Sequence, residues 1–285
     1  MPILESQSEP TELFRESFDL CPFIFSHRLS DHPLFSISAL KELTEKWAAK
    51  ENDLGFFRIS NSAQGLKWGS RDFKHAVRDA LENLETSRLR LKLSAVHLEP
   101  AYQQVLDECT LQLSDLVGVD LTRAYKDARA TIFISSPGEV TPYHIDQEAN
   151  FLFELRGSKT VWVIDGNDRK MLPWQDLETY WHDGAAVPPP ETSMLQVHRF
   201  ELRPGFAVHN PVNFPHWVAN GPTPSVALSL GFTRVEDPID VLRVNYYLRK
   251  LGMRPTPPGE SRLRDDAKRR VVEAGRQIKL LIGRV

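Results

Sequence analysis

Cysteine is scarce. Cys21 and Cys109 are the only two, in unrelated contexts and without a CxxC pair, so neither a disulfide framework nor a thiolate zinc site is at hand. Long apolar runs are missing as well, and nothing approaches the roughly 20 unbroken apolar residues of a membrane-spanning helix. Positive charge is not in excess: a formal net charge of -3 and a pI near 6.3 give no overall attraction to nucleic acid or an anionic membrane. The opening residues, MPILESQSEPTELFRESF, are acidic and polar where a signal peptide has a positive end and an apolar run. Gly-rich phosphate loops, a nucleophile elbow, a dinucleotide fingerprint and an HExxH helix are all lacking. The expectation is a soluble protein of the reducing cytoplasm, with no nucleic acid partner and no membrane span.

What is present is ordinary globular material: 41% apolar and 26% charged residues over 285 positions, enough for a large core with appendages. Phe23, Ile24 and Phe25 suggest a short buried strand, and the nearby His27 and His32 are read as structural. Leu40, Leu43 and Trp47 recur at helical spacing in a segment opening at Ser38. A second helix is expected over 70–85, with Ser70 as its cap and Phe73, Val77, Ala80, Leu81 and Leu84 on one side. RLRLKLSAVHL, residues 88–98, alternates like a half-buried strand with Leu89, Leu91 and Leu93 on one face. A helix over 102–117 stops at Gly118. From 129 to 232 the helical period gives way to short β runs separated by Gly, Pro and Asn, which implies a sandwich or a small barrel.

Ligand chemistry concentrates in TPYHIDQEANFLFELRGSK, residues 141–159. His144 and Asp146 are two apart at what reads as a strand end, and a period of two sets alternate side chains on one face, so both reach one metal ion. VHNPVNFPHW offers two candidates for a third ligand, His209 and His216; Pro215 and Trp217 around His216 fit a strand start at a barrel mouth and favour it. Two imidazoles and a carboxylate with open positions form the donor set of non-haem Fe(II) oxygenases. The same set serves hydrolytic zinc, but the HExxH helix is missing and Glu148, though close in sequence, has no fixed direction. The plain alternative is a hydrogen-bonded His–Asp pair at a strand end. The segment ANFLFELRGSKTVWVID reads as a hairpin turning at Arg156, Gly157 and Ser158. On its second strand Lys159 shares a face with Val161 and Val163. Such a lysine is either directed into a barrel, where it needs an anion, or snorkels to water from a hairpin end.

TPYHIDQEANF, then GSK, then PGFAVHNPVNFPHWV, resembles the cupin-like JmjC oxygenases, the group that includes the asparaginyl hydroxylase of hypoxia-inducible factor. The match spans roughly residues 131–232, about a third of the chain. The resemblance implies a mainly β fold with helical appendages, built on a double-stranded β-helix of the jelly-roll or cupin type. It implies three segments: an N-terminal helical and mixed α/β region packing on the barrel (1–125), the catalytic core (126–235) and a C-terminal helical extension (236–285). It also implies an Fe(II)- and 2-oxoglutarate-dependent hydroxylase that consumes O2 and releases succinate and CO2. His144, Asp146 and His216 match the metal ligands. Lys159 and Thr141 match the residues that hold the far carboxylate of 2-oxoglutarate, and Asn150 a polar residue beside it. The tyrosine that the family often adds from an earlier strand has no counterpart in RLRLKLSAVHL.

Two regions lie outside this pattern. Residues 166–193 are long for a connection, and Trp174, Tyr180 and Trp181 either line a substrate entrance or pack a lid. After Pro238 a helix ending at Gly252 offers Val241, Leu242, Val244, Tyr247, Leu248 and Leu251 as an apolar side. A final helix over 263–281 is basic, with Arg262, Arg264, Lys268, Arg269, Arg270, Arg276, Lys279 and Arg284 on and beside it. It is either a solvated face, a surface for an anionic partner, or a homodimer contact through Val271, Val272, Ile278 and Leu281. A metal-binding cupin of other chemistry and a non-catalytic binding protein remain the alternatives to an oxygenase. The substrate stays open among a protein side chain, a sugar and a small molecule.

Overall fold

The structure, a computed structural model, describes residues 3–4, 11–49, 57–59, 70–184, 186–190, 196–235 and 238–282. The chain divides into two units, one grouping 1–164 with 196–235 and the other 165–195 with 236–285. The first unit opens with α1 (Thr11–Ser17), β1 (Phe23–Ser26), α2 (Ile37–Ala49), β2 (Phe57–Ile59), α3 (Arg71–Glu82) and β3 (Arg90–Leu93). Then come α4 (Pro100–Val117), α5 (Leu121–Ala124), β4 (Tyr125–Ser135), β5 (Val140–His144), β6 (Ala149–Arg156) and β7 (Lys159–Ile164). Its closing strands are β8 (Val197–Leu202), β9 (Phe206–Asn210), β10 (His216–Asn220) and β11 (Ser225–Arg234). The sequence reads as loop into strand from Asp53 to Arg58; β2 supplies the strand, and residues 53–56 lie outside the described residues.

The helices form where the sequence caps and stops them. The Ser70 hydroxyl accepts from the Phe73 N–H at 3.1 Å, and α3 then buries Phe73, Val77 and Ala80. Pro100 occupies the first turn of α4, and Gly118 ends it at φ 72. Residues 96–98, expected to continue the third strand, form a 3-10 turn entered through Ala95 at φ 55.

The strands make two antiparallel sheets. One runs β1-β9-β6-β11-β4-β3-β2, the other β5-β10-β7-β8. Alternation gives the large sheet two different faces. On β11, Val226, Leu228, Leu230 and Phe232 join the main apolar core together with Ile132 and Ile134 of β4, Phe151 and Phe153 of β6, and the buried sides of α2, α3 and α4. The opposite face of β11 carries Ser225, Ala227, Ser229 and Gly231, residues too small to fill the space between the sheets. A β-helix of this kind keeps a hollow because one strand face is small and polar while its other face is bulky.

The expected hairpin at 156–158 is instead a crossing between sheets. β6 pairs with β9 and β11, whereas β7 pairs with β10 and β8. Gly157 makes the crossing at φ +82, and a Cβ there would lie 2.3 Å from the Pro224 carbonyl oxygen.

In the second unit, part of the segment expected as loop is α6 (Trp174–Asp183), entered at Pro173 and ended by Gly184 at φ 72. It is followed by α7 (Ile239–Lys250) and α8 (Arg262–Ile282). Arg249 of α7 donates to the buried Glu178 of α6 at 2.5 Å, and Lys268 of α8 donates to the Thr256 carbonyl at 2.7 Å. The apolar side expected of α7 is narrower than the sequence suggests. Val241 and Leu242 are buried, but Tyr247 is exposed, and Asn245 takes the inner position by donating to Thr256 O at 3.1 Å. Among the described residues, no helix is long and apolar enough to cross a membrane.

Candidate metal centre and its cavity

A cavity of about 580 Å3 lies between the two sheets of the first unit. Its walls are the inward positions of nearly every strand: Thr131, Phe133 and Ser135 of β4, Asn150 and Leu152 of β6, Lys159 and Val161 of β7, Val208 and Asn210 of β9, His216 and Val218 of β10, and Ser229 of β11. Arg90 and Lys92 of β3 reach it at one side, where Arg90 donates to the Val140 carbonyl at 2.7 Å.

His144 is the last residue of β5, and Asp146 lies two residues past the strand's end, so the pair is set by a strand terminus and not by a continuing strand. In the pairing of β5 with β10, His216 stands opposite His144 and Val218 opposite Thr141, leaving Pro142 and Tyr143 against Trp217 alone. This is a bulge on an edge strand, a setting that tolerates proline. It turns Thr141 and His144, three apart, toward the same cavity, which an unbroken period of two would forbid.

The three ligand candidates converge. One ligand atom from each of His144, Asp146 and His216 lies within 4.8 Å of the others. Nε2 of His144 is 3.7 Å from one oxygen of Asp146, and Nε2 of His216 is 3.6 Å from the other. Each ring is oriented through its second nitrogen. His144 Nδ1 donates to the Pro142 carbonyl at 2.9 Å, and His216 Nδ1 to the Phe214 carbonyl at 3.0 Å, with the Asn210 amide 3.1 Å away. A proton held on Nδ1 leaves the Nε2 lone pair for a metal. Burial lowers the pKa of His216, against the opposing pull of Asp146, which favours the neutral ligand form. The donor set therefore suits a divalent ion with two nitrogens and one hard oxygen.

His209, the competing third ligand, points the other way. It is buried on the opposite face of β9, where Nε2 accepts from the Asp19 N–H at 2.9 Å and Nδ1 donates to Asn150 O at 3.1 Å. Burial holds its pKa down at about 4. His27 is likewise a core histidine, with Nε2 3.1 Å from the Glu154 carbonyl.

Lys159 does not snorkel. Only 6% exposed, it lines the cavity and donates to Asn220 Oδ1 at 2.6 Å. Thr141 and Asn150 line the same cavity, and Asn150 donates to Ser229 Oγ at 2.7 Å. Trp174, Tyr180 and Trp181 lie on α6 of the second unit: Trp181 is buried, and Trp174 stacks beneath the Arg169 guanidinium at 4.0 Å. The cavity's lining residues all belong to the first unit.

Sequence reading missed two participants, Asn220 and Glu154, and left the direction of a third, Glu148, open. Asn220 and Glu154 follow from periodicity: inward positions repeat every second residue from His216 through Val218 to Asn220, and from Asn150 through Leu152 to Glu154. Glu148 required the structure. It lines the cavity beside Arg129 at 3.8 Å, its pKa raised chiefly by burial, and it fits because Gly231 has no side chain: a Cβ there would meet Glu148 Oε2 at 2.2 Å.

No protein-family model matches the chain, and no curated protein matches it in sequence. Solved structures do match. A crystal structure of the Escherichia coli ribosomal oxygenase YcfD aligns with a TM-score of 0.52 at 16% identity, covering 96% of this chain and 68% of that one. The fold is shared with a known oxygenase. YcfD in complex with cobalt and succinic acid aligns at 0.51 and 18% identity, over 96% and 67% of the two chains. Its complex with cobalt and 2-oxoglutarate aligns at 0.50 and 19% identity, over 91% and 61%. The likeness to YcfD is one of architecture, a double-stranded β-helix.

Proposed function

We propose that this chain is an Fe(II)- and 2-oxoglutarate-dependent oxygenase that hydroxylates a substrate not yet identified. The observation that carries the proposal is the joint presence, in one cavity, of the His144–Asp146–His216 donor set and the buried ammonium of Lys159. A buried lysine that lines a hollow favours an anion there, because a ligand carboxylate adds to the partial compensation that Asn220 and Glu154 give its desolvation. YcfD, which shares the fold, binds cobalt together with 2-oxoglutarate.

In this reading His144, Asp146 and His216 hold the metal. Lys159 and Thr141 hold the far carboxylate of the 2-oxo acid, and Asn150 lies beside it. When bound, the metal and the oxo acid supply the oxygen activation, with succinate and CO2 released and one oxygen atom delivered to a substrate C–H bond. The chain's own part is to orient and to keep dry. Leu152, Val161, Val208 and Val218 wall the cavity with apolar surface, which excludes water from a reactive site. The Nδ1 hydrogen bonds fix both imidazoles so that metal binding needs no ring rotation. Residues 126–235 supply every one of these groups, and we take that segment as the catalytic core. The unpaired cysteines, Cys21 and Cys109, are consistent with a reducing cytoplasm.

The second unit serves as a dimer contact in this reading. Leu251, Met253, Leu263 and Val271 are 77, 54, 85 and 65% exposed, apolar side chains that a lone protomer leaves in water. Ile278 and Leu281, expected to take part, have side chains outside the described residues.

The deciding experiment is anaerobic titration of the apoprotein with Fe(II) and 2-oxoglutarate, followed by oxygen and an assay for succinate. A visible metal-to-ligand charge-transfer band and slow succinate formation are expected. Metal binding without a band moves the protein to a cupin of other chemistry. Absence of metal binding makes it a binding protein that has kept the fold.

A further inference from the structure

A second buried ionisable group, Glu154, stands on the inward side of β6, across the crossing at Gly157 from Lys159. Asn150, Leu152 and Glu154 are successive inward positions of β6, and Glu154 is 0% exposed. One carboxylate oxygen accepts from Ser225 Oγ of β11 at 2.6 Å; the other, Oε2, has no hydrogen-bond partner. An orphan carboxylate oxygen in a protein interior is costly and calls for an explanation. Glu154 near the end of β6 and Lys159 at the start of β7 are inward positions on either side of the crossing at Gly157, which brings the two chargeable groups to the same side of the sheets, where the charge of each opposes the effect of burial on the other. The other polar groups on the pair are the Asn220 amide of β10 on Lys159 and the Ser225 hydroxyl on Glu154, while the His27 imidazole faces the Glu154 backbone carbonyl.

We propose that Glu154 is the resting counter-ion of Lys159 and takes up a proton from solvent when a dicarboxylate cosubstrate occupies the Lys159 site. The inference rests on the assignment of Lys159 to the far carboxylate of 2-oxoglutarate. Without ligand, the buried pair is neutral with one proton shared between an amine and a carboxylate. An arriving carboxylate needs the lysine charged, and it places a second negative charge near Glu154 in a region of low polarity. The pair then carries two protons, one on each group, and the buried charge is balanced by the ligand. Burial already pushes Glu154 up to about 7, against the lowering effect of Lys159, so the proton is gained across ordinary working pH. Glu154 is thus a positioning residue: it touches neither substrate nor metal and acts through Lys159.

The test is calorimetric titration of the Co(II)-loaded, full-length protein with 2-oxoglutarate, in buffers of different ionisation enthalpy, between about pH 6 and 8.5. The wild type is expected to take up close to one proton per ligand near pH 8.5 and far less near pH 6. Its Kd should rise by up to about tenfold per pH unit above about 7.5. Glu154→Gln, neutral and able to accept from Ser225, should show neither effect and should bind about tenfold or more tighter than wild type at the alkaline end. 2-Oxobutyrate, which lacks the far carboxylate, should bind the wild type without this uptake, and this contrast decides the matter even if the variant fails to fold. Equal proton uptake by wild type and Glu154→Gln, or by the two oxo acids, overturns the proposal while leaving 2-oxoglutarate as the cosubstrate. Absence of 2-oxoglutarate binding at every pH overturns both.

Discussion

Asp146 stands between two imidazoles, each 3.6–3.7 Å from one of its oxygens, on a loop just past the end of β5. Its backbone carbonyl also accepts from the Asn213 N–H at 3.3 Å, tying this loop to the turn that carries His216. Asp146→Ala keeps that backbone bond and removes the hard ligand. Co(II) affinity is expected to fall by more than about a hundredfold, with an unchanged far-UV CD spectrum, because a two-histidine remnant binds divalent metal weakly. Retained affinity would remove Asp146 from the site. His209 shows the contrary case of a histidine whose role is packing. Its folded pKa, near 4, lies below the unfolded value of about 6.5, so the unfolded chain binds the proton more readily and stability is lost as pH falls from about 6.5 toward 4. The loss attributable to this one ring is about 3 kcal/mol at most. Urea denaturation at pH 7 and pH 4.5 should therefore show a smaller difference for His209→Gln than for wild type. An undiminished difference would place the acid sensitivity elsewhere.

At the scale of elements, the two glycine turns flanking the cavity make a paired test of what a Cβ meets. Gly157 has φ +82 and its Cβ would press on the Pro224 backbone, whereas Gly138, at φ +69, has nothing within 4 Å. Gly138→Ala is expected to cost about 1 kcal/mol for conformation alone, and Gly157→Ala more than about 3 kcal/mol, measured as shifts in denaturation midpoint. Equal costs would mean that the crossing at Gly157 adjusts freely. The same turn shows where sequence reading stops. Gly157 between two apolar runs announces a reversal, and a hairpin is the commonest reversal, but pairing partners are fixed by residues 50 and more positions away on β9, β10 and β11. Periodicity was reliable where a strand was unbroken, as on KTVWVI, where Lys159, Val161 and Val163 do share a face. Periodicity alone cannot join Thr141 to His144 across Pro142, because a bulge adds a residue without changing composition. The helix α6 is marked in the sequence by Pro173 and Gly184 at its ends, but the segment reads there as a long connection whose aromatics line an entrance or pack a lid.

For the whole molecule, the outer face of α8 bears on how many copies work together. Asp265 and Lys268 turn inward from α8, while Leu263, Ala267 and Val271, each four apart, form a stripe on its outer side. Residues four apart lie one above another on a helix face, so this stripe is a continuous apolar surface flanked by Arg264 and Arg270. A second copy related by a two-fold axis would cover it with the same stripe, and like charges at the margins would set the spacing between the helices. The outer face of α7 and the turn after it add Tyr247, Leu251 and Met253. If these surfaces meet their counterparts, sedimentation at micromolar concentration should report twice the mass of the 32.5 kDa chain. Replacing both Leu263 and Val271 by Glu should return it to a monomer, since four buried carboxylates across a two-fold interface repel and remain unpaired. Metal binding at His144, Asp146 and His216 should survive in that monomer, because the ligands all come from the first unit of one chain. A wild type that stays monomeric at tens of micromolar would leave the stripe as solvated surface, and the basic residues beside it would then be the better guide to what α8 contacts.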